Sequence, residues 1–293
     1  MGPTGRQLVG RHPEPPDAAM AHPSSSSDAT GRLEGQAGLI HRPAAERFHS
    51  QHDWLDSWHS FSFAGHDHPA WRGFGPLRVI NDDRIAAGRG FGLHPHRDME
   101  IITVMVEGVL THEDSMGHRA SLQAGEVQRM SAGRGLLHSE VNAGAEPCRL
   151  LQIWIEPSAY GTPPSYEQKP FPLDGGWTLL IDPERRDGAM AIQGAMRLWR
   201  AQPQGGGVLA LPLAAEAPGW LQLISGSGRV ELSNGAEAVA VQAGDGLGMA
   251  AGQGTAFTAG PDGADLLVFK WHPHHGQNDC RENPGLDCAV RST

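Results

Sequence analysis

Residues 88–142 open on Gly88-Arg-Gly-Phe-Gly-Leu-His-Pro-His96 and close on Gly133-Arg-Gly-Leu-Leu-His-Ser-Glu-Val-Asn142. Residues two apart on an extended strand point to the same face. His94 and His96 therefore project together, as do His138 and Glu140. Two such strands side by side on a concave surface would bring three imidazoles and a carboxylate together. Imidazole suits zinc, iron, copper and nickel, and a carboxylate widens the choice toward iron and manganese. Four such ligands leave two octahedral positions open, which separates a catalytic metal from a closed structural one. Pro95 removes one backbone donor and suits an edge or mouth position. Gly90, Gly92, Gly133 and Gly135 are expected to let the backbone approach closely around the site.

Working outward, β-branched and apolar runs recur at short intervals between glycine turns. Examples are Leu77–Ile80, Ile101–Val106, Val127–Met130 and Leu150–Ile155, followed by Thr178–Ile181, Met196–Trp199, Val208–Leu213, Trp220–Ile224, Gly228–Leu232 and Leu266–Trp271. No helical periodicity competes with them, so the fold class is all-β, sandwich or barrel. The 293 residues, with 39 Gly and 22 Pro, suffice for one or two cores built from strands and tight turns.

An echo divides the chain. Ala124-Gly-Glu126 through Met130, Gly133 and Gly135 to His138 is matched by Ala243-Gly-Asp245 through Met249, Gly252 and Gly254 to Phe257, at an offset of 243 − 124 = 119 residues. This reads as a duplicated β-domain. The ligands are not duplicated. His138 maps to Phe257, His94 to Leu213 and His96 to Ala215, so the first copy carries the chemistry. The expected organisation is a disordered leader at 1–38, a metal-binding domain at 39–160, a degenerate copy at 161–271 and a tail at 272–293. Prolines 157, 163, 164, 170 and 172 mark the junction.

Charge and cysteine content exclude several classes. The formal net charge is −10 and no basic run appears, which argues against direct nucleic-acid binding. No 18-residue apolar run or secretory h-region is present, so no membrane association is expected. Cys148, Cys280 and Cys288 make no disulfide framework, and Cys148 sits among apolar residues. A reducing, cytoplasmic setting and a monomer are the expectation. His272, His274 and His275 with Cys280 and Cys288 lie in a polar tail that lacks the rigid support a metal site needs. His59, His66, His68, His112 and His118 read as surface histidines or as partners behind the ligands. Gly88-x-Gly90-x-Gly92 precedes no helix and is not a nucleotide loop.

Taken together the motifs resemble the pirin family of the cupin superfamily. Gly88-x5-His94-x-His96-x3-Glu100 is similar to the first cupin motif, and Gly135-x2-His138-x3-Asn142 to the end of the second. The narrower resemblance rests on Trp54-Leu-Asp-Ser-Trp-His-Ser-Phe-Ser-Phe63, Leu77-Arg-Val-Ile-Asn-Asp-Asp83, His94-Pro-His-Arg-Asp-Met-Glu100, His112-Glu-Asp-Ser-Met-Gly117, Met130 to Glu140 and Gln152-Ile-Trp-Ile155. Tyr166-Glu-Gln-Lys-Pro-Phe171 fits the bacterial branch. The resemblance covers about residues 39–271 and implies a bicupin: two tandem jelly-roll-like β-barrels, with metal only in the N-terminal one. Gly133 departs from the general cupin pattern, which has proline there.

Spacing alone leaves the carboxylate ligand open between Glu100 and Glu140. The resemblance implies His94, His96, His138 and Glu140 as ligands, with Glu100 behind them. It implies one divalent metal, iron first, with zinc, nickel, copper, manganese or cobalt also admissible. The expected activity is quercetin 2,3-dioxygenase: O2-dependent cleavage of a flavonol ring to a depside and carbon monoxide, with Glu140 as general base. Phe91, Met105 and Leu137 are expected to hold the aromatic rings. The alternative is a non-enzymatic, metal- and redox-sensing regulator that binds a protein partner.

Overall fold

A computed structural model describes residues 38–213, 217–233 and 235–271. Among them nearly all regular structure is β, with three 3-10 turns. The chain divides into two units. The first strand, β1 (Leu39–Arg42), pairs antiparallel with residues 246–249 and so belongs to the second unit, although the N-terminal domain was expected to begin at 39.

The first unit holds residues 48–73 and 77–170. Its strands are β2 (Phe48–Gln51), β3 (Leu55–His59), β4 (Leu77–Ile85), β5 (Gly90–His96), β6 (Glu100–Glu107), β7 (Val109–Asp114), β8 (Arg119–Gln123), β9 (Glu126–Ser131), β10 (Leu136–Val141), β11 (Cys148–Ile155) and β12 (Ser165–Pro170). They form two separate sheets, ordered β12-β9-β6-β11-β4-β3-β2 and β5-β10-β7-β8, rather than one closed barrel. The proline-rich segment read as a junction contributes β12 to the sheet edge. Edge strands tolerate proline, and Pro170 ends this one.

One face of the seven-stranded sheet positions the site. Its register aligns Gln168, Gln128, Thr103, Gln152, Asn81 and His59 across six neighbouring strands. Two residues along, Tyr166, Met130, Ile101, Trp154 and Val79 form a parallel row. Directly opposed residues in antiparallel strands share a face. The unit therefore presents a polar row flanked by two apolar clusters. One contains Val79, Met99, Ile101, Met130, Leu136 and Trp154. The other contains Ile85, Met105, Leu110, Leu122, Cys148 and Leu150.

The second unit holds the described residues up to 47, residues 74–76 and residues 171–271. Its further strands are β13 (Thr178–Ile181), β14 (Met196–Ala201), β15 (Val208–Ala210), β16 (Gly219–Leu232), β17 (Val239–Gln242), β18 (Gly246–Met249) and β19 (Gly254–Trp271). They form one sheet with β1, in the order β1-β18-β16-β19-β14-β13, with β15 on β19 and β17 on β16. The sequence echo has a structural counterpart. Gly125 and Gly244 both turn at positive φ, +86° and +89°. Glu126 accepts the Gln123 N–H and Asp245 accepts the Gln242 N–H. Phe257, at the His138 position, is buried in a core with Leu211, Leu221, Val230 and Leu247. The leader expected before 38 and the His/Cys-bearing tail fall outside the described residues.

Candidate metal centre

β5 and β10 lie side by side, with His138 opposite His94 and Leu136 opposite His96. The ring centroids of His94, His96 and His138 are 4.5–4.8 Å apart, and one nitrogen from each falls within 4.8 Å of the others. Gly90 makes the close pairing possible. A Cβ there would collide with the Glu140 carbonyl oxygen and Val141 Cα. Gly92, by contrast, has open space around it.

Two of the imidazoles, His96 and His138, are prepared as neutral donors. Burial, then the His94 charge, pushes His96 down to about 3. Burial, reinforced by His94, His96 and His112, drives His138 far below the ordinary histidine range. His94 Nδ1 is 2.7 Å from the Gly92 carbonyl oxygen, which fixes that nitrogen as the N–H and leaves Nε2 its lone pair. His138 Nε2 is buried without a hydrogen-bond partner. An unsatisfied buried polar atom costs about 1–3 kcal/mol, which a ligand removes. This orphan nitrogen within a group of three imidazoles fits a first-row divalent ion.

Glu140 is 2 % exposed and reaches the polar row. Its Oε1 accepts from Gln128 Nε2 at 2.5 Å and lies 3.2 Å from Thr103 Oγ1. Its Oε2 accepts from Gln152 Nε2 at 2.7 Å. A carboxylate offers about four lone-pair sites. Oε1 faces two side chains, Gln128 and Thr103, and Oε2 only Gln152, so Oε2 is the oxygen with more room for a further partner. One Glu140 oxygen also groups with a nitrogen each from His112 and His138 within 4.8 Å.

Glu100 joins neither group; its Oε2 accepts from Ser131 Oγ at 2.6 Å. Strand alternation puts it on the face opposite Thr103. Asp98, at φ +49°, turns the chain between β5 and β6, so the parity of His94 and His96 does not carry through to Glu100. Two expected lining residues are also placed otherwise. Met105 is fully buried in the cluster with Leu110 and Leu150, and Leu137, next to His138 on an alternating strand, turns outward at 41 % exposure. Phe91 packs on Trp54, with its ring 6.4 Å from His94.

The wall against the imidazoles is instead Trp154. Its ring meets His96 edge-on at 5.0 Å, with Phe63 and Met130 in the same cluster, and its buried Nε1–H has no partner. Sequence did not assign the Glu140 donors Gln128, Gln152 and Thr103 to the site, and it left His112 between a surface histidine and a partner behind the ligands; the structure puts His112 behind His138. The available signal was a polar residue inside an apolar β run: Thr103 in Ile101–Val106, Gln152 in Leu150–Ile155, and Gln128 beside Arg129 in Val127–Met130.

A model described as Pirin matches residues 41–155, and one described as the quercetinase C-terminal cupin domain matches residues 179–270. A quercetin 2,3-dioxygenase of Escherichia coli (strain K12) is 43 % identical over 79 % of this chain and 98 % of that protein. A pirin-like protein of Caulobacter vibrioides is 39 % identical over 68 % of this chain and 85 % of that one. The solved bacterial pirin YhhW from Escherichia coli, in complex with nickel(II), superposes with a TM-score of 0.75 at 40 % identity. That match covers 80 % of this chain and all of the other.

Proposed function

The chain belongs to the pirin family of bicupins, and on that premise we propose that it is a metal-dependent dioxygenase that opens a flavonol ring with O2. The observation that carries this reading is the buried, unpartnered His138 Nε2 among clustered imidazoles beside an aromatic wall. His94, His96 and His138 would hold the metal through nitrogen and Glu140 through Oε2. The ion is iron in this reading, and the nickel(II) complex of the Escherichia coli pirin supports a divalent first-row ion.

When bound, such a metal supplies Lewis acidity toward oxygen ligands and a redox-active centre for O2 chemistry. The protein's own groups do the rest. Where Glu140 loosens its hold on the metal, its Oε2 would take the proton of the flavonol hydroxyl, while Gln128, Gln152 and Thr103 hold the carboxylate in place. Trp154 and Phe63 offer apolar faces to the flavonol rings, and the unpaired Trp154 Nε1–H offers a donor to a substrate oxygen.

The metal-bearing cupin of this reading is the unit of β2–β12, and the second cupin is a structural companion. We place the protein in a reducing cytoplasm as a monomer. Burial pushes the thiol of its one described cysteine, Cys148, up to about 11, which removes it as a redox partner. No described helix is long and apolar enough to cross a membrane.

Elemental analysis together with quercetin turnover in air and under nitrogen tests the proposal. Wild type should carry the metal, consume O2 with quercetin and release carbon monoxide, while His138→Ala should lose both metal and turnover. Undiminished quercetin loss in metal-free His138→Ala would overturn the enzyme reading. Leu93 and Leu137, exposed on the two ligand-bearing strands, favour a second reading as a metal-dependent module for a protein partner. Metal-loaded wild type that leaves quercetin intact would favour that second reading.

A further inference from the structure

A string of polar side chains leads away from His138 on the side opposite its orphan nitrogen. His138 Nδ1 lies 3.4 Å from His112 Nδ1, and His112 Nε2 lies 3.4 Å from Asp114 Oδ2. The Asp114 side chain is fully buried. Its Oδ1 accepts the backbone N–H of Met116 at 2.8 Å and of His118 at 3.1 Å, and its Oδ2 is 2.9 Å from His118 Nδ1. Tyr166 stacks on His112 at 4.5 Å and 21°, so the ring between His138 and Asp114 is held on its flat face as well.

A neutral imidazole has one N–H and one lone pair, so of two nitrogens in contact one must donate and the other accept. The string decides which. Two backbone N–H groups, which can only donate, cap Asp114 Oδ1, and two imidazole nitrogens face Oδ2, a set of partners that favours the ionised carboxylate. An ionised carboxylate only accepts. His112 Nε2 must then be the N–H, and His112 Nδ1 the lone pair. The proton in the Nδ1–Nδ1 contact therefore belongs to His138, whose Nε2 keeps its lone pair. Nε2 is the atom left without a partner.

We propose that Asp114 and His112 are positioning residues that set the tautomer of His138, so that Nε2 is ready for metal before any metal arrives. The Gly92 carbonyl does the same for His94. Orienting a ligand imidazole through its second nitrogen is a general device in metal sites, typically worth 10–100-fold in affinity. Here the orienting acceptor is a second histidine, itself oriented by a carboxylate that no longer touches the ligand. This inference rests on the reading of His138 as a ligand.

Competition with a chromogenic chelator gives the Ni(II) affinity of wild type, His138→Ala, His112→Ala, His112→Asn and Asp114→Asn. In parallel, 15N NMR of the metal-free wild type reads which ring nitrogen of His138 carries the proton. His138→Ala should abolish tight binding. His112→Ala should weaken it about 10–100-fold. His112→Asn, whose Oδ1 restores an acceptor near the Nδ1 position, should recover most of the loss. Asp114→Asn keeps the oxygen that caps the Met116 and His118 amides but presents an NH2 group to His112. It should turn the His112 tautomer, move the His138 proton to Nε2 and weaken Ni(II) at least as much as His112→Ala.

The outcomes separate. Wild-type affinity in His138→Ala would overturn the ligand reading and this inference with it. Loss in His138→Ala with wild-type affinity in both His112→Ala and Asp114→Asn would overturn the inference alone. Equal loss in His112→Ala and His112→Asn would reduce His112 to packing beneath Tyr166. A proton on Nε2 of His138 in the metal-free wild type would refute the proposal whether or not any variant folds.

Discussion

Glu140 depends on three neutral side chains that the residue pattern does not announce. Gln128 and Gln152 donate amide protons to it from neighbouring strands, and Thr103 sits between them. Truncating one donor leaves a buried acceptor short. Gln128→Leu should therefore cost about 1–3 kcal/mol in the denaturant unfolding of the metal-free protein. A loss under a few tenths would show that the network contributes nothing. Asp83 behaves differently. Its carboxyl is fully buried, accepts from Ser57 Oγ, and is pushed up to about 7 mainly by desolvation. The folded group keeps its proton to about 7 while the unfolded chain gives it up near 3.8. Its contribution is complete below that lower value and is lost as pH rises through 7, by on the order of 4 kcal/mol. Asp83→Asn cannot ionise, so its stability relative to wild type should rise between pH 4 and 7.5 in metal-free protein. Parallel pH profiles would refute this.

Among the elements, the β5–β10 pair places the imidazoles, and its register shifts between His138 and Glu140. The irregularity lets His138 sit opposite His94 while Glu140 reaches toward the larger sheet. Gly90 supports it by admitting the β10 backbone where a Cβ would clash. Gly90→Ala should part the strands at the ligands, cost about 1–3 kcal/mol of stability, and weaken Ni(II) at least tenfold. Gly92→Ala, with nothing near its added methyl, should leave both unchanged. Equal effects at the two glycines would refute the strand-spacing account. The polar row across β12, β9, β6, β11, β4 and β3 is a property of the same kind. Each strand contributes one polar side chain, and only their alignment makes a surface that can hold a buried carboxylate.

For the chain as a whole, two β units follow one sequence pattern, and among the described residues the candidate ligand groups of His94, His96, His112, His138 and Glu140 lie in the first. Phe257 fills the His138 position within an apolar core. Purified protein should therefore bind one metal per chain, and Phe257→His should destabilise the second unit without adding a second ion. Two ions per wild-type chain would overturn that division. Most of this was legible in the chain itself. Alternating apolar runs and glycine turns implied an all-β fold, the 119-residue echo implied two copies, and His94, His96 and His138 stood out because strand geometry makes i and i+2 neighbours. These are local properties, set within a few residues of chain. The remainder depended on register and on the chain's return path. Glu100 and Glu140 could not be separated by parity, because a left-handed turn at Asp98 resets the alternation. β1 pairs with β18, some two hundred residues away, and β12 closes a sheet edge from within a proline-rich stretch. His112 read as a surface histidine or as a partner behind the ligands, with nothing in the spacing to choose between them. Its contact with His138 exists only because β7 lies beside β10. Sequence determined which side chains each strand presents. Long-range strand pairing decided which of them meet, because hydrogen-bond register joins residues whose separation along the chain carries no trace of it.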